Sequence, residues 1–315
     1  MRFAWLGFHA EGLPALEALL EAGAPIQAVL TLRPDLAAKR SGGVDYAPAC
    51  RRAGVPLHFV ANINDADARR LLEEIAPDVM FVIGWHQIVR AEALRLARVG
   101  MVGAHASPLP HNRGSAPINW AIIRGERETG NTLFWLAESV DAGDIIDQTR
   151  FPITPYDTCA TLYRKVGESN RDMLLGLLPR LLAGERPGRP QPVTEEPVLP
   201  RRRPSDGCVN WNQPSRAVYD FVRALTRPYP GAFSSLDGDR WFIWKAALAP
   251  VPSGIAPPGV MLGPVISPVE EACGQLVSCR TGTLTILELE REDGLRLHGP
   301  ALSNQPWSGK RWRDE

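Results

Sequence analysis

The chain reads as a two-part α/β protein, with a mostly parallel sheet flanked by helices first and a small antiparallel barrel second. Three observations predict this. Apolar runs of strand length alternate with stretches of helical periodicity through the first half of the chain. The run Asp78 to Ile83 (DVMFVI) is almost continuously apolar, as a strand covered on both faces should be. A break at 185–205, with six prolines and no apolar period, separates this pattern from a region of short strands and frequent Gly and Pro turns.

Taken in order, Arg2 to Phe8 is the first strand, and Leu13 to Glu21 is a helix with Leu and Ala at helical spacing. Ile26 to Leu32 is the second strand. Tyr46 to Arg52 and Ala66 to Ile75 read as helices around a short strand near Leu57 to Val60. After DVMFVI, a strand near Met101 to His105 delivers a histidine at its C-terminal end. A helix over Ile118 to Ile123, a strand over Thr132 to Ala137 and a long helix over Thr158 to Leu182 complete the first domain, residues 1–184. The 185–205 segment reads as a semi-rigid linker. Residues 206–315 form the second domain, with a helix at Ser215 to Ala224. Its strands fall near Ala232 to Leu236, Trp241 to Ala247, Gln275 to Ser278 and Thr283 to Leu289.

Composition narrows the function. Lys plus Arg equals Asp plus Glu at 35 each, so the formal net charge is zero. A protein that grips tRNA needs a basic footprint to displace counterions, and the only dense run is Arg201-Arg202-Arg203. Binding to tRNA is therefore not expected. No stretch approaches the roughly 20 apolar residues of a membrane span. The opening MRFAWLGFHAEG turns polar too early for a secretory signal. Five scattered cysteines without a C-x-x-C pair argue against a disulfide or zinc framework and for a reducing cytoplasm, and no metal site is expected. Phe8-His9-Ala10-Glu11-Gly12 lacks the close glycines of a dinucleotide fingerprint.

Ligands of open parallel sheets sit outside the carboxyl ends of the strands, which points to three loops: Phe8-His9, Gly84-Trp85-His86 and His105 to Ser107. Pro108, Pro110, Arg113 and Gly114 follow as a rigid loop, and Asp141 lies in the turn VDAGD. A histidine and an aspartate so far apart meet only if two strands bring their ends together, and the pair is then a general acid/base unit.

The region Gly103-Ala104-His105-Ala106-Ser107-Pro108-Leu109-Pro110, then Arg113-Gly114, then Asp141-Ala142-Gly143-Asp144, resembles the signature of the folate-dependent formyltransferase family, to which methionyl-tRNA formyltransferase belongs. Ala116-Pro117-Ile118-Asn119-Trp120, Glu128-Thr129-Gly130, Arg202-Arg203-Pro204 and Pro228-Tyr229-Pro230-Gly231-Ala232-Phe233 extend the likeness. Together they resemble the sugar N-formyltransferases most, including the domain that formylates UDP-4-amino-4-deoxy-L-arabinose. The resemblance implies a Rossmann-like catalytic domain and a C-terminal barrel like an OB fold. It implies transfer of a formyl group from 10-formyltetrahydrofolate to the amine of a small acceptor, a nucleotide-linked sugar, and is compatible with a homodimer. His105 is then the base, oriented by Asp141, with Ser107 beside them. Gly84, Trp85, His86, Ile88 and Val140 face the donor, and Phe8, His9, Arg113 and Trp120 face the acceptor.

One position departs from the signature: Gly103 stands where the family has asparagine, the carbonyl donor of the oxyanion. Losing such a donor costs roughly 100- to 1000-fold in rate. Three readings follow. Formyl transfer persists with another donor, from Ser107, His111, Asn112 or His105 itself. The glycine opens room for a larger acyl group, such as acetyl from acetyl-CoA. Or the fold binds ligands without turnover.

Overall fold

A computed structural model describes residues 1–250, 254 and 256–313. The expected second domain runs to residue 315, and its last two residues lie outside that range. The first elements are β1 (Phe3–Leu6), α1 (Leu13–Glu21), β2 (Ile26–Leu32), α2 (Pro34–Ala37), α3 (Ala47–Ala53) and β3 (Leu57–Val60). Then come α4 (Ala66–Ile75), β4 (Val79–Val82), α5 (Ala91–Leu94), β5 (Gly100–His105), α6 (Pro117–Ile123), β6 (Glu128–Trp135), β7 (Ile145–Pro152) and α7 (Cys159–Leu182).

Contacts divide the chain into two compact units. The first comprises Met1–Pro117, Glu128–Pro152 and Thr161–Pro200; the second comprises Ile118–Arg127, Ile153–Ala160 and Arg201–Glu315. The first unit holds a seven-stranded sheet in the order β3-β2-β1-β4-β5-β6-β7. Pairing is parallel from β3 to β5 and antiparallel from β5 to β7. Side chains alternate between two cores because strand residues alternate faces. Trp5, Phe81, Val102, Leu133 and Trp135 pack with Leu16, Leu19, Leu174 and Leu177 of α1 and α7. Leu6, Leu30, Met80, Val82 and Met101 pack on the other face with Leu72, Ile75 and Ala93. Each such side chain contributes about 1.5–3 kcal/mol on burial, which holds the strand ends of this layer in fixed positions. A buried amide network adds direction: Asn131 Nδ2 donates to Asn170 Oδ1 at 2.6 Å and to Ser169 Oγ at 2.9 Å, and Asn170 reaches the Glu11 carbonyl at 3.1 Å.

The sheet is one strand wider than the sequence reading. β7 (IIDQTRFP), the edge strand, mixes half-buried and exposed residues along its length, so it lacks the continuous apolar run that marks a buried one. The proline-rich segment is tied down too. Arg189 and Ile145 exchange backbone bonds of 2.9 and 2.8 Å, and Leu199 donates to the Arg113 carbonyl at 2.7 Å.

The second unit holds α8 (Ser215–Leu225), β8 (Ala232–Leu236), β9 (Asp239–Ala249), β10 (Met261–Val265), β11 (Gly274–Ser278), β12 (Thr283–Arg291), β13 (Arg296–His298) and α9 (Gly299–Ser303). Its antiparallel sheet runs β10-β11-β12-β9-β8, with β13 pairing β12. The C-terminal segment touches both ends of that path, Arg311 bridging Val260 and Arg313 bridging Ser235. Trp211 stacks on Trp312 (centroids 6.1 Å apart), and Trp241 meets Trp307 edge-on at 5.4 Å, so indoles fill this core. No helix among the described residues is long and apolar enough to cross a membrane.

Candidate active site

β5 ends at His105, and its antiparallel partner β6 pairs His105 with Thr132 and Gly103 with Phe134. Fixed register places the imidazole on the same face as position 103. The loop that follows folds back on itself: Ser107 Oγ donates to the His111 carbonyl at 2.6 Å, and Thr132 Oγ1 donates to the Ser107 carbonyl at 2.7 Å. Ser107 is fully buried, so its single hydroxyl proton is engaged in closing the loop.

The loop brings the carbonyl of Asn112 2.9 Å from His105 Nε2. On the other side of the ring, His105 Nδ1 lies 3.6 Å from Asp141 Oδ2. The two residues foreseen as a pair are thus brought together, at a separation longer than a hydrogen bond. Asp141 Oδ2 also accepts the Gly114 N–H at 2.9 Å. Asn112 (φ 55°) and Asp141 (φ 50°) are both left-handed, a conformation that Asn and Asp tolerate better than other L-residues. The glycines of the two signature turns have steric reasons. A Cβ at Gly114 would lie 2.6 Å from the Leu199 carbonyl oxygen, and one at Gly143 would lie 1.7 Å from the Trp135 carbonyl oxygen.

Gly103 does not open space. A Cβ there would meet Leu136 Cδ2 at 2.5 Å and Phe134 Cε1 at 3.4 Å. Both lie on the same sheet face, and Leu136 belongs to a small cluster with Leu109, Phe134 and Ile145. The expectation that glycine makes room for a larger acyl group is therefore corrected: a leucine already fills that place.

At the first strand end, Phe8 and His9 both donate to the Gly84 carbonyl at 3.3 Å, so two of the three foreseen loops are joined. Phe8 is 4% exposed and meets Trp85 and His86 edge-on at 5.9 and 5.2 Å. It is core. His9 packs on Tyr163 at 5.2 Å, and its Nδ1 accepts the Glu11 N–H at 3.3 Å. Trp85 packs partly into the sheet core, whereas Ile88 and Val140 present apolar side chains that are 65% and 41% exposed. Gln87 pins the Gly84 to Ile88 loop, donating to the Ala61 carbonyl at 2.8 Å and accepting the Ile63 N–H at 3.1 Å. Arg113 sits between the two residues that hold His105 and Asp141. Its Nε is buried with no hydrogen-bond partner among the described residues. Trp120 lies in the second unit, with the Arg202 guanidinium 4.9 Å from its ring centre. Burial lowers the pKa of Arg202, with the nearby Asp206 opposing that shift.

Sequence reasoning missed Asn112 as a ring anchor, Thr132 as the loop fastener, and Leu136 and Gln191 as neighbours of the site. Each acts through contacts that form only once the strand ends and their loops are folded together, so no local pattern announces it.

This arrangement can be set beside known proteins. Residues 37–178 match the formyl transferase family, and residues 202–306 match the formyl transferase C-terminal domain. HypX from Aquifex aeolicus, solved with tetrahydrofolic acid, is 22% identical with a TM-score of 0.64 over 95% of this chain. The chain spans 46% of HypX, about half its length. WlaRD, a sugar 3N-formyltransferase solved in the presence of dTDP and 5-N-formyl-THF, is 18% identical with a TM-score of 0.65 over 94% of this chain and 99% of its own. An N-formyltransferase from Helicobacter canadensis, solved with folinic acid and dTDP-3-aminofucose, is also 18% identical, with a TM-score of 0.65 over 90% of this chain and 98% of its own. The two models match one after the other along the sequence, and the chain belongs to the formyltransferase family.

Proposed function

We propose that this protein is an N-formyltransferase that moves the formyl group of 10-formyltetrahydrofolate to the amine of a small acceptor, a nucleotide-linked amino sugar. The observation that carries the reading is the His105–Asp141 pair at the end of β5, 3.6 Å apart, within a chain of this family. The solved relatives with tetrahydrofolate-type and dTDP ligands support the choice of donor and acceptor class.

With Nε2–H donating to Asn112, the ring's basic nitrogen is Nδ1, facing Asp141. The neutral amine attacks the formyl carbon, and a new C–N bond forms. His105 takes the proton that the amine loses, and Asp141 balances the charge of the imidazolium. The bond from formyl carbon to the donor nitrogen then breaks as the imidazolium returns that proton to the leaving nitrogen, which regenerates neutral His105. Since the Ser107 proton is engaged, position 103 carries no amide and Nε2–H is held by Asn112, we assign the Nδ1–H of protonated His105 as the donor to the oxyanion. Ile88 and Val140 are suited to the flat apolar ring of the donor, and the Arg113 fork to an acidic group of the acceptor. The C-terminal sheet, bridged across its ends by residues 311–313, suits the OB-like barrel of the family.

The test combines calorimetry and turnover. Saturable binding of 5-formyltetrahydrofolate, no binding of acetyl-CoA and formylation of a dTDP- or UDP-linked amino sugar are expected. Saturable binding of the coenzyme A compound without the folate, or formylation of charged initiator tRNA with no turnover of amino sugars, would reverse the assignment.

A further inference from the structure

The stretch 185–200 has the composition of a spacer, yet its hydrogen bonds end on the candidate site. Gln191 Nε2 donates to the carbonyls of Asp141 at 2.8 Å and Gly143 at 2.7 Å. Further along, Leu199 brackets Gly114: its N–H donates to the Arg113 carbonyl at 2.7 Å, and its carbonyl accepts the Ser115 N–H at 3.1 Å. Gly114 is the residue whose N–H holds the Asp141 carboxylate. One segment therefore grips both loops that carry the His105–Asp141 pair.

Asp141 needs the grip. Its φ of 50° lies in the left-handed region, sparsely populated even for Asp, and such conformations persist only where the surroundings hold them. The turn's own backbone supplies a long bond at Asp141 itself, Ala142 N–H to the Ser139 carbonyl at 3.4 Å, and a short one only at its far end, where the Asp144 carbonyl accepts the Trp135 N–H at 2.9 Å. The two short bonds from Gln191 are stronger and converge on the turn from a single amide.

We propose that Gln191 is a positioning residue: its side-chain amide fixes the turn at Asp141 and so sets the carboxylate's place beside His105. The inference rests on the reading of His105 and Asp141 as the reacting pair. The test variant is Gln191→Met, which keeps the volume and removes the donor, with Gln191→Glu as a second variant should the first fail to fold. A displacement of this kind is expected to lower kcat by roughly 10- to 100-fold. The KM for the folate donor should stay within about twofold, since the change is felt at the reacting pair and not in uniform binding. A residue that acts through Asp141 has no lever once that carboxylate is gone, so adding Gln191→Met to Asp141→Asn should cost less than about twofold more. Losses that multiply, or an unchanged kcat, overturn the inference.

The ¹⁵N resonances of the His105 ring, assigned by their loss in His105→Gln, give a readout that needs no acceptor. They should shift in Gln191→Met and not shift further when that change joins Asp141→Asn. A protein that formylates none of the offered amines would sink the functional reading and leave this inference to the ring resonances. Unchanged resonances in both Gln191 variants would sink the inference alone.

Discussion

Replacing Gly103 by asparagine puts the relation between this chain and its family to a quantitative test. The new Cβ would sit 2.5 Å from Leu136 Cδ2 and 3.2 Å from its Cγ. Carbon contacts settle near 3.5–4.0 Å, so the leucine must retreat by about 1 Å. Such overpacking costs about 1–3 kcal/mol in a structure of this density. Shortening the leucine removes the atoms that collide. Gly103→Asn should therefore destabilise by that amount alone but be nearly neutral when added to Leu136→Ala, a favourable coupling of about 1–3 kcal/mol in a double-mutant cycle read by urea denaturation. The rate follows the same logic. With Leu136 in place the carboxamide is pushed off the family's geometry and little gain is expected. In the Leu136→Ala background it can reach the oxyanion and raise single-turnover formyl transfer by up to about 100- to 1000-fold over that background. Additive stabilities, or a full gain of rate in Gly103→Asn with Leu136 intact, would refute the claim that the leucine occupies this place.

Other outcomes are expected from the same structure. His105→Ala should lower kcat by about 10²- to 10⁴-fold with folding intact, as measured by single-turnover transfer; a smaller loss would remove it as the base. Arg223 is buried in the second unit, bonded to Asp220 at 2.7 Å and to the carbonyls of Thr154 and Asp157 at 3.0 and 2.6 Å. Arg223→Met should cost about 1–3 kcal/mol in thermal or urea unfolding, because Asp220 keeps Arg216 at 2.8 Å but loses one charged partner and the two carbonyls lose their donor. Burial pushes the thiols of Cys159 and Cys279 up to about 12, whereas Cys208 is half-buried. A thiol reagent at pH 8 should modify Cys208 first and reach Cys159 and Cys279 only on unfolding; rapid reaction of either in the native protein would contradict their burial. The Arg98 guanidinium, helped by the Arg2 N–H, holds the Asp78 carboxyl below its usual value. Folding thus favours its ionised form, so its contribution is present above pH about 4 and is lost as pH falls through the folded value. Asp78→Asn should cost under about 1 kcal/mol at pH 7, fading toward pH 3 in denaturation; a constant penalty would refute the linkage.

What the sequence determined by itself was the succession of elements in the first unit and the identity of the pair. Apolar runs such as DVMFVI are strands for reasons internal to the segment, because only a strand covered on both faces uses such a run. His105 and Asp141 were legible because their turns carry glycines and prolines with local steric demands. The edge strand β7 and the strand β10 (MLGPV) were not legible. An edge strand is half exposed, and β10 carries Gly263 and Pro264, which weaken a local strand signal, the proline being one that an edge position tolerates. The surroundings of the pair were decided by tertiary structure alone. Nothing near Gly103 in sequence says that Leu136 fills its missing side chain, since the contact depends on the register of β5 against β6. Nor does composition distinguish a free proline-rich linker from a strap. Proline fixes the backbone angle and spares the chain some ordering entropy, but the partners of Gln191 and Leu199 exist only once the sheet has brought the loops after β5 and β6 to the same edge.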